Sequence, residues 1–191
     1  AAGRAALRRI LARYLDRPPG SLRIDTAPGG KPHLADSTEP SPVRFNLAHT
    51  ASLALIAITR HREVGVDVER LRRDVPYDAL AARYFAADEI AALRAFEPLD
   101  RPAAFFGCWT RKEAFLKARG DGLRVPLAGV TVALAPGPGP VALSIADDPS
   151  EAARWSVVSV DAGAGYAAAV AVGAGPLQIH CWDGRVGTEP D

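Results

Sequence analysis

The sequence predicts an α+β fold made of two similar halves related by a pseudo-twofold axis, each half a small antiparallel sheet packed with helices. Two observations lead to this prediction. A helical pattern followed by strand patterns occurs once before about residue 62 and again after it, and 191 residues suffice for one or two small domains with a sizeable core. We expect an N-terminal half at residues 1–62, a C-terminal half at 63–175, and a disordered tail at 176–191, which has little to bury.

The N-terminal half is predicted to begin with a helix at residues 2–16, where apolar side chains recur with a 3.6-residue period until Pro18-Pro19-Gly20. The strand predicted at 53–59 is apolar on both faces, which is typical of a buried strand. The other elements expected in this half are strands at 22–24 and 43–50, a tight turn at 29–32 and a polar loop at 36–42.

The C-terminal half opens with an alternating pattern that predicts a strand at residues 64–69. Its valines lie on one face, and Asp67 and Glu69 lie side by side on the other. Two carboxylates this close repel each other unless a cation lies between them, and carboxylates are preferred ligands of Mg²⁺. The alternative interpretation is an ordinary solvated strand edge.

A helix predicted from residue 100 to residue 120 is marked at both ends. Asp100 suits the N-cap, Pro102 the first turn and Gly120 the C-terminal position. The helix is apolar over most of its circumference, which is typical of a buried helix. Around it, the patterns predict helices at 77–85 and 86–96, strands at 130–134, 141–145, 155–160 and 166–172, and a Pro-Gly turn at 136–140.

Trp109, Glu113 and Lys117 follow one another at intervals of four residues and form one row on this helix. A surface Glu–Lys pair is the ordinary interpretation. On so apolar a helix, however, we expect Lys112, Glu113 and Lys117 to be carried into or against the interior. The chain has 20 arginines and three lysines, the third being Lys31. Unless this bias is chance, the lysines mark positions that require a compact ammonium group.

Composition argues against several classes of protein. A net charge of +1 gives no sign of bulk nucleic-acid binding. No run is apolar enough for a membrane span, and no signal peptide is visible. Cys108 and Cys181 make no disulfide framework, and Cys108 is expected to be a buried thiol, which fits a cytoplasmic location. The chain has no Walker loop, G-x-G-x-x-G, Ser–His nucleophile motif or zinc-spaced Cys/His cluster.

The candidate site residues are of two kinds. Lys31, His49 and Lys117 are cations or donors suited to phosphates, although a lone histidine near a core strand is more often structural. Metal ligands, phosphate ligands and a carboxylate that can accept a proton are the parts of a phosphoryl-type transfer. The carboxylates that could hold one Mg²⁺ are those of Asp67, Glu69 and Glu113.

Four motifs connect these residues with a known family. They are Gly30-Lys31-Pro32, Phe45-Asn46-x-x-His49-Thr50, Gly65-Val66-Asp67-Val68-Glu69 and Trp109-x-x-Lys112-Glu113-Ala114-x-x-Lys117. Together they resemble the successive motifs of the 4′-phosphopantetheinyl transferases, and the best match is the two-domain type that activates surfactin synthetase. The resemblance spans nearly the whole chain in the family's order and spacing. Any one motif is weak, whereas the four together are highly specific.

The resemblance implies an enzyme that transfers 4′-phosphopantetheine from coenzyme A (CoA) to a serine of an acyl or peptidyl carrier protein and releases 3′,5′-ADP. It implies that Asp67, Glu69 and Glu113 hold the required Mg²⁺, for which Mn²⁺ could substitute. Glu113 would also be the base that takes the serine proton, and Lys117 would stabilise charge on the pyrophosphate. The residues implied at the adenosine 3′-phosphate end of CoA are Arg4, Lys31, Pro32, His49 and Thr50.

The resemblance also implies a docking surface and a departure from the family pattern. The helices at 77–96, with the arginines at 70–73, would dock an acidic carrier protein. Trp109 and Lys112 would brace the central helix. At Ala48 the family often has serine, so this chain lacks one hydroxyl donor to a phosphate.

From these features we expect a cytoplasmic monomer with its active site at the junction of the halves and with no nucleic-acid or membrane partner. Two alternatives remain open at this point. One is another Mg²⁺-dependent phosphotransferase or phosphohydrolase, and the other is an inactive module that binds CoA or a carrier protein.

Overall fold

This computed structural model describes residues 2–35, 41–120, 126–134, 138–146 and 148–184. The loop predicted at 36–42, the turn predicted at 136–140 and the tail predicted at 176–191 lie partly outside these residues. Within them the chain is a mixture of helices and small antiparallel sheets, so the predicted α+β class is confirmed. No helix in these ranges is long and apolar enough to cross a membrane.

The N-terminal part packs a helix onto antiparallel strands. Its elements are α1 (Ala2–Leu15), β1 (Ile24–Thr26), β2 (Pro32–Leu34), β3 (Val43–Thr50) and β4 (Leu53–Arg60). β1 pairs with β2 and β3 pairs with β4, and His49 lies opposite Ala54. The apolar face of α1 buries Leu7 and Leu11 in one cluster with Phe45 of β3.

Two expectations for this part were wrong in detail. The first strand begins at Ile24 rather than at Leu22, because a 3₁₀ turn at Pro19–Ser21 turns Leu22 into the apolar cluster beneath α1. β4 is half-buried rather than fully buried. Among the described strands β4 pairs with β3 alone. It therefore lies at the edge of its sheet, where its side chains remain partly exposed.

The C-terminal part contains a larger sheet and a long helix. Its elements are β5 (Val64–Arg70), α2 (Tyr77–Tyr84), α3 (Ala87–Ala95), α4 (Arg101–Arg119), β6 (Val130–Val132), β7 (Gly139–Val141), β8 (Leu143–Ile145), α5 (Pro149–Ala152), β9 (Trp155–Ser159) and β10 (Tyr166–Gly173). The sheet order is β5-β10-β9-β7, and β6 pairs with β8. The strand predicted at 141–145 is therefore two strands that join different sheets. Pro140 is compatible with β7 because β7 lies at a sheet edge.

Helix α4 is the buried centre of this part. Phe115, Ala114 and Ala118 are fully buried against β9 and β10, and Phe105 and Cys108 pack towards α2 and α3. The helix ends as predicted at Gly120, which adopts the left-handed conformation (φ 79°). Its start differs from expectation.

Asp100 has helical backbone angles and makes no side-chain capping bond, so its predicted capping role is wrong. The backbone N–H groups of Asp100 and Arg101 both donate to the Glu97 carbonyl, which shows that the chain already turns before the helix begins.

The two parts meet between β3–β4 and β5–β10. Ala48 of β3 packs with Val66, Val68 and Ala168 in an apolar cluster. At the edge of β5, the Val66 N–H donates to the buried Asn46 Oδ1 at 2.9 Å. This bond joins β3 to β5 through a side chain. Ala48, which stands where the family often has serine, therefore lies in the apolar junction between the two parts.

Candidate active site

The carboxylate cluster of this protein consists of Asp67 and Glu69 on β5 and Glu113 on α4. The alternation predicted for β5 is observed: Val66 and Val68 lie in the apolar cluster at the junction, and the acids occupy the alternate positions. Asp67 lies opposite Ala169 of β10, and Glu69 lies opposite Ala167. Because alanine is small, both acids have room towards α4.

Gly65 brings α4 onto this face of β5. A β-carbon at Gly65 would lie far inside van der Waals contact of the Ala114 carbonyl oxygen and the Ala118 backbone nitrogen. Helix and strand backbones therefore touch at this point, and only glycine permits the approach. One consequence is that Lys117 reaches β5, where its Nζ bonds Asp67 Oδ1 at 2.6 Å.

The pKa values of all three carboxylates in the cluster are raised, and burial is the largest cause for each. Burial raises the pKa of Asp67 even though Lys117 opposes the shift. Burial also raises the pKa of Glu113, with Lys117 opposing and the charges of Asp67 and Glu69 adding to it. For Glu69, burial and the charge of Asp67 raise the pKa against a Thr50 hydrogen bond. Three carboxylates share one ammonium, an arrangement that favours a further cation.

The donor set also fits a divalent metal ion. Among the described residues, no three His, Cys, Asp or Glu side chains are positioned to hold a metal ion as they stand, and Lys117 lies against Asp67. However, Asp67 Oδ2 is buried and has no hydrogen-bond partner in the described part of the chain. An orphaned carboxylate oxygen beside two further carboxylates is the hard-oxygen chemistry that Mg²⁺ and Mn²⁺ prefer.

Of the residues predicted at the CoA end, Thr50 lies beside the carboxylate cluster. Its hydroxyl donates to Glu69 Oε2 at 3.3 Å. His49 is exposed on the neighbouring position of β3. Arg4 is exposed near the start of α1, and the adjacent Gly3 lies against Ala54, directly across from His49. The structure thus places the start of α1 and the end of β3 on one side of the junction.

Lys31 and Pro32 lie at a different contact between the two parts. Lys31 Nζ donates to Glu63 Oε2 at 2.6 Å and to the Ala118 carbonyl at 2.7 Å, and the side chain is 12% exposed. Arg44 donates to the second oxygen of Glu63 at 2.9 Å. Lys31 therefore contacts the C-terminal end of α4, one residue from Lys117, and an acidic group already neutralises its charge.

Trp109 and Lys112 lie away from the carboxylate cluster and pack α4 against α2 and α3. Trp109 contacts the rings of Tyr84 and Phe105. Lys112 is fully buried and forms an ion pair with Glu89 of α3. These contacts agree with the bracing role that the family resemblance implies.

Sequence reasoning gave no role to three residues that make long-range contacts: Asn46, Glu63 and Glu89. Each acts through a partner 20 or more positions away, so no local periodicity reveals it. A signal existed for Glu89: it lies four residues after Phe85 and four before Leu93, a spacing that places it on the apolar side of α3. Its side chain is 2% exposed.

Comparison with known proteins agrees with this geometry. Residues 63–171 match the family model of the 4′-phosphopantetheinyl transferase superfamily. The matched range includes all three residues of the carboxylate cluster. HetI, a 4′-phosphopantetheinyl transferase of Nostoc sp., is 38% identical over 181 residues, which cover 95% of this chain and 73% of HetI. The chain belongs to the 4′-phosphopantetheinyl transferase superfamily. The resemblance stated from the four motifs, and with it the assignment to the transferase enzymes, is confirmed.

Two further superfamily members show how far the similarity extends. The transferase psf-1 of Bacillus pumilus is 34% identical over 69% of this chain and 54% of its own length. The L-aminoadipate-semialdehyde dehydrogenase-phosphopantetheinyl transferase of Homo sapiens is 32% identical over 71% of this chain and 46% of its own length. The chain thus spans about half the length of these two relatives.

Proposed function

We propose that this chain transfers 4′-phosphopantetheine from CoA to a serine hydroxyl of an apo acyl or peptidyl carrier protein. The observation that carries the proposal is the carboxylate cluster. Asp67 and Glu113, which are distant in sequence, converge with Glu69 on one ammonium group beside the junction of the two parts. Membership of the superfamily supports the reaction type.

In this proposal the three carboxylates hold a divalent ion, Mg²⁺ or Mn²⁺, which when bound supplies positive charge to the CoA pyrophosphate. Glu113 accepts the proton of the carrier serine. Because a metal-bound carboxylate is a weak base, this role requires that Glu113 coordinates the ion only loosely. The serine oxygen then bonds the phosphorus that bears pantetheine, and the bond from that phosphorus to 3′,5′-ADP breaks. Lys117 offsets the negative charge that accompanies this step.

We further propose that residues 1–62 and 63–175 act as two halves. The first half binds the adenosine 3′-phosphate end of CoA through Arg4, Lys31, Pro32, His49 and Thr50. In support, Arg4 and His49 are exposed on one side of the junction, and Thr50 touches the carboxylate cluster. A phosphate at Lys31 has to compete with Glu63 for the ammonium group.

The proposed carrier surface consists of α2, α3 and the exposed arginines at positions 70, 72 and 73. Arg70 is the last residue of β5, and Arg72 and Arg73 come shortly after it, so these arginines lie at the end of the strand that carries Asp67 and Glu69. An acidic carrier protein complements such arginines. We propose a monomer, because both halves of the site come from one chain.

Mass spectrometry of an apo carrier protein tests the proposal. With CoA, Mg²⁺ and the protein, the carrier should gain one phosphopantetheine, and 3′,5′-ADP should appear only when the carrier is present. Release of phosphate from CoA without a carrier would instead support a phosphohydrolase. Glu113→Gln should fold and lose most of the transfer rate. Transfer by this variant at the native rate would remove Glu113 as the base.

A further inference from the structure

Glu89 is a buried carboxylate that joins three elements of the C-terminal part. It lies in the first turn of α3 and is 2% exposed. Its Oε1 accepts from the Val132 N–H of β6 at 2.8 Å and from Cys108 Sγ at 3.6 Å. Its Oε2 accepts from the Ala86 N–H at 2.8 Å and forms the ion pair with Lys112. Both oxygens are therefore committed to partners on α3, β6 and α4.

Lys112 receives this carboxylate in a dry environment. Its side chain is fully buried, and its ammonium lies 5.0 Å from the centre of the Phe85 ring. Burying two charges carries a large desolvation cost, and a packed apolar pair of similar volume is often as stable. Stability alone thus does not explain the pair.

Helix α4 is apolar over most of its circumference, and buried charged side chains make its directional contacts. One of them, Arg111, donates to the Ser159 hydroxyl of β9 at 2.8 Å and to the Ala133 carbonyl at 2.7 Å. Apolar packing restrains rotation about a helix axis less sharply than a directional bond does. At about 100° per residue, Lys112 and Lys117 point about 140° apart. One is bonded to α3 and the other to Asp67 on β5. The two ion pairs hold α4 from nearly opposite sides, and Glu113 lies between them.

The position of Glu113 is sensitive to this rotation. A glutamate carboxylate lies roughly 6 Å from its helix axis, so a rotation of about 10° moves it by about 1 Å. A misplacement of about 1 Å in a catalytic group can lower a rate by on the order of 100-fold. We propose that Glu89 is a positioning residue: through Lys112 it fixes the rotation of α4 that places Glu113 in the carboxylate cluster.

The positioning role can be tested in two ways. The kinetic test rests on the proposed function, whereas the crystallographic test does not depend on it. The double variant Glu89→Gln/Lys112→Met removes both charges at nearly constant volume, so neither charge is left buried alone. We expect it to fold, to keep its KM for CoA, and to lose about 10- to 100-fold in kcat. Its crystal structure should show the Glu113 carboxylate displaced by about 1 Å relative to Asp67.

Leu22→Ala is the matched control, because Leu22 is equally buried but lies beneath α1. It should lower the melting temperature and leave kcat unchanged. If the double variant does not fold, Glu89→Asp replaces it. That variant keeps the charge, but a shorter side chain cannot reach β6 and Lys112 together, so the same loss of kcat is expected.

A fall in kcat of less than tenfold in a folded variant, or a Glu113 carboxylate that has not moved, would overturn the positioning role. If the wild-type protein itself transfers nothing, the proposed function fails, and the crystallographic comparison alone then decides the role of Glu89.

Discussion

Asp67 is a single residue whose buried charge lowers the stability of the folded protein. Its side chain is 7% exposed, and its Oδ2 atom has no hydrogen-bond partner among the described residues. The carboxylates of Glu69 and Glu113 belong to the same cluster. Burial of a charge without full compensation costs free energy. Natural proteins retain such groups where function requires them.

The first prediction follows from that cost. Asp67→Asn removes a buried charge from between Glu69 and Glu113, so the metal-free melting temperature should not fall. A metal that binds only the folded state raises the melting temperature, and the variant should lose this rise. Thermal melts with and without Mg²⁺ measure both effects. Asp25→Asn, at an exposed position on β1, is the control and should keep the full Mg²⁺ response. The idea fails if Asp67→Asn retains that response.

Glu63 provides a prediction about pH. Burial alone would raise its pKa, but the charges and hydrogen bonds of Lys31 and Arg44 outweigh burial and lower the pKa below the ordinary value. Because the folded-state pKa lies below the unfolded one, the stabilisation is complete above the unfolded value. It disappears as the pH falls through the folded value.

Glu63→Gln should therefore be less stable than the wild type at pH 7. The difference should shrink as the pH falls below the ordinary glutamate pKa of about 4.3 and vanish below the lowered pKa of the folded state. Since the Glu63 side chain is 46% exposed, solvent screening limits the loss at pH 7 to about 1 kcal/mol or less. Urea unfolding at pH 7 and at acidic pH measures the difference. A difference of the same size at both pH values would contradict the linkage.

At the scale of elements, the contact between α4 and β5 determines where Glu113 and Lys117 lie. Gly65→Ala places a methyl group against helix backbone atoms that cannot rotate away. We expect a loss of about 3 kcal/mol in the free energy of unfolding, at the upper end for overpacking. We also expect a lower kcat, because α4 must move off the strand that carries Asp67.

Gly129→Ala is the control for Gly65→Ala, since a β-carbon at Gly129 would meet no atom within 4 Å. Urea unfolding and transfer assays on both variants separate a general effect of alanine from the close approach. Equal stability of the two variants would show that α4 does not rest on Gly65 in solution.

Local chemistry explains which elements could be predicted. α4 was recognisable because Pro102 and Gly120 mark its ends, and β5 because its valines and acids alternate. The failure at Asp100 has the same origin. Its sequence position suits a cap, but the chain turns before the helix begins, so the residue is already helical.

At the scale of the whole molecule, prediction depended on whether a recognisable motif gave a residue a role. The motifs brought Asp67, Glu69, Glu113 and Lys117 into one proposal, and the structure places them together. The contacts of Asn46 and Glu89 with distant backbone amides depend on how β3 meets β5 and how α3 meets β6. Such contacts arise from tertiary packing, which a local pattern does not contain.

Asn46 yields the last prediction, because its bond crosses between the two parts of the chain. Asn46→Ala leaves the Val66 N–H buried and unpaired at the edge of β5, which costs about 1–3 kcal/mol. If CoA binds across the junction, loss of this bond should also raise the KM for CoA, because the end of β3 is no longer held in register with β5.

Ser41→Ala is the matched control for Asn46→Ala. The buried Ser41 hydroxyl accepts from the Val43 N–H at 3.2 Å, so this substitution also strands a buried amide, but within the N-terminal part alone. Both variants should be destabilised to a similar extent in urea, and only Asn46→Ala should raise the KM. Since stability is matched, an equal KM in the two variants would mean that the junction does not align the CoA site. A selective rise would show that one side-chain bond between β3 and β5 contributes to substrate binding.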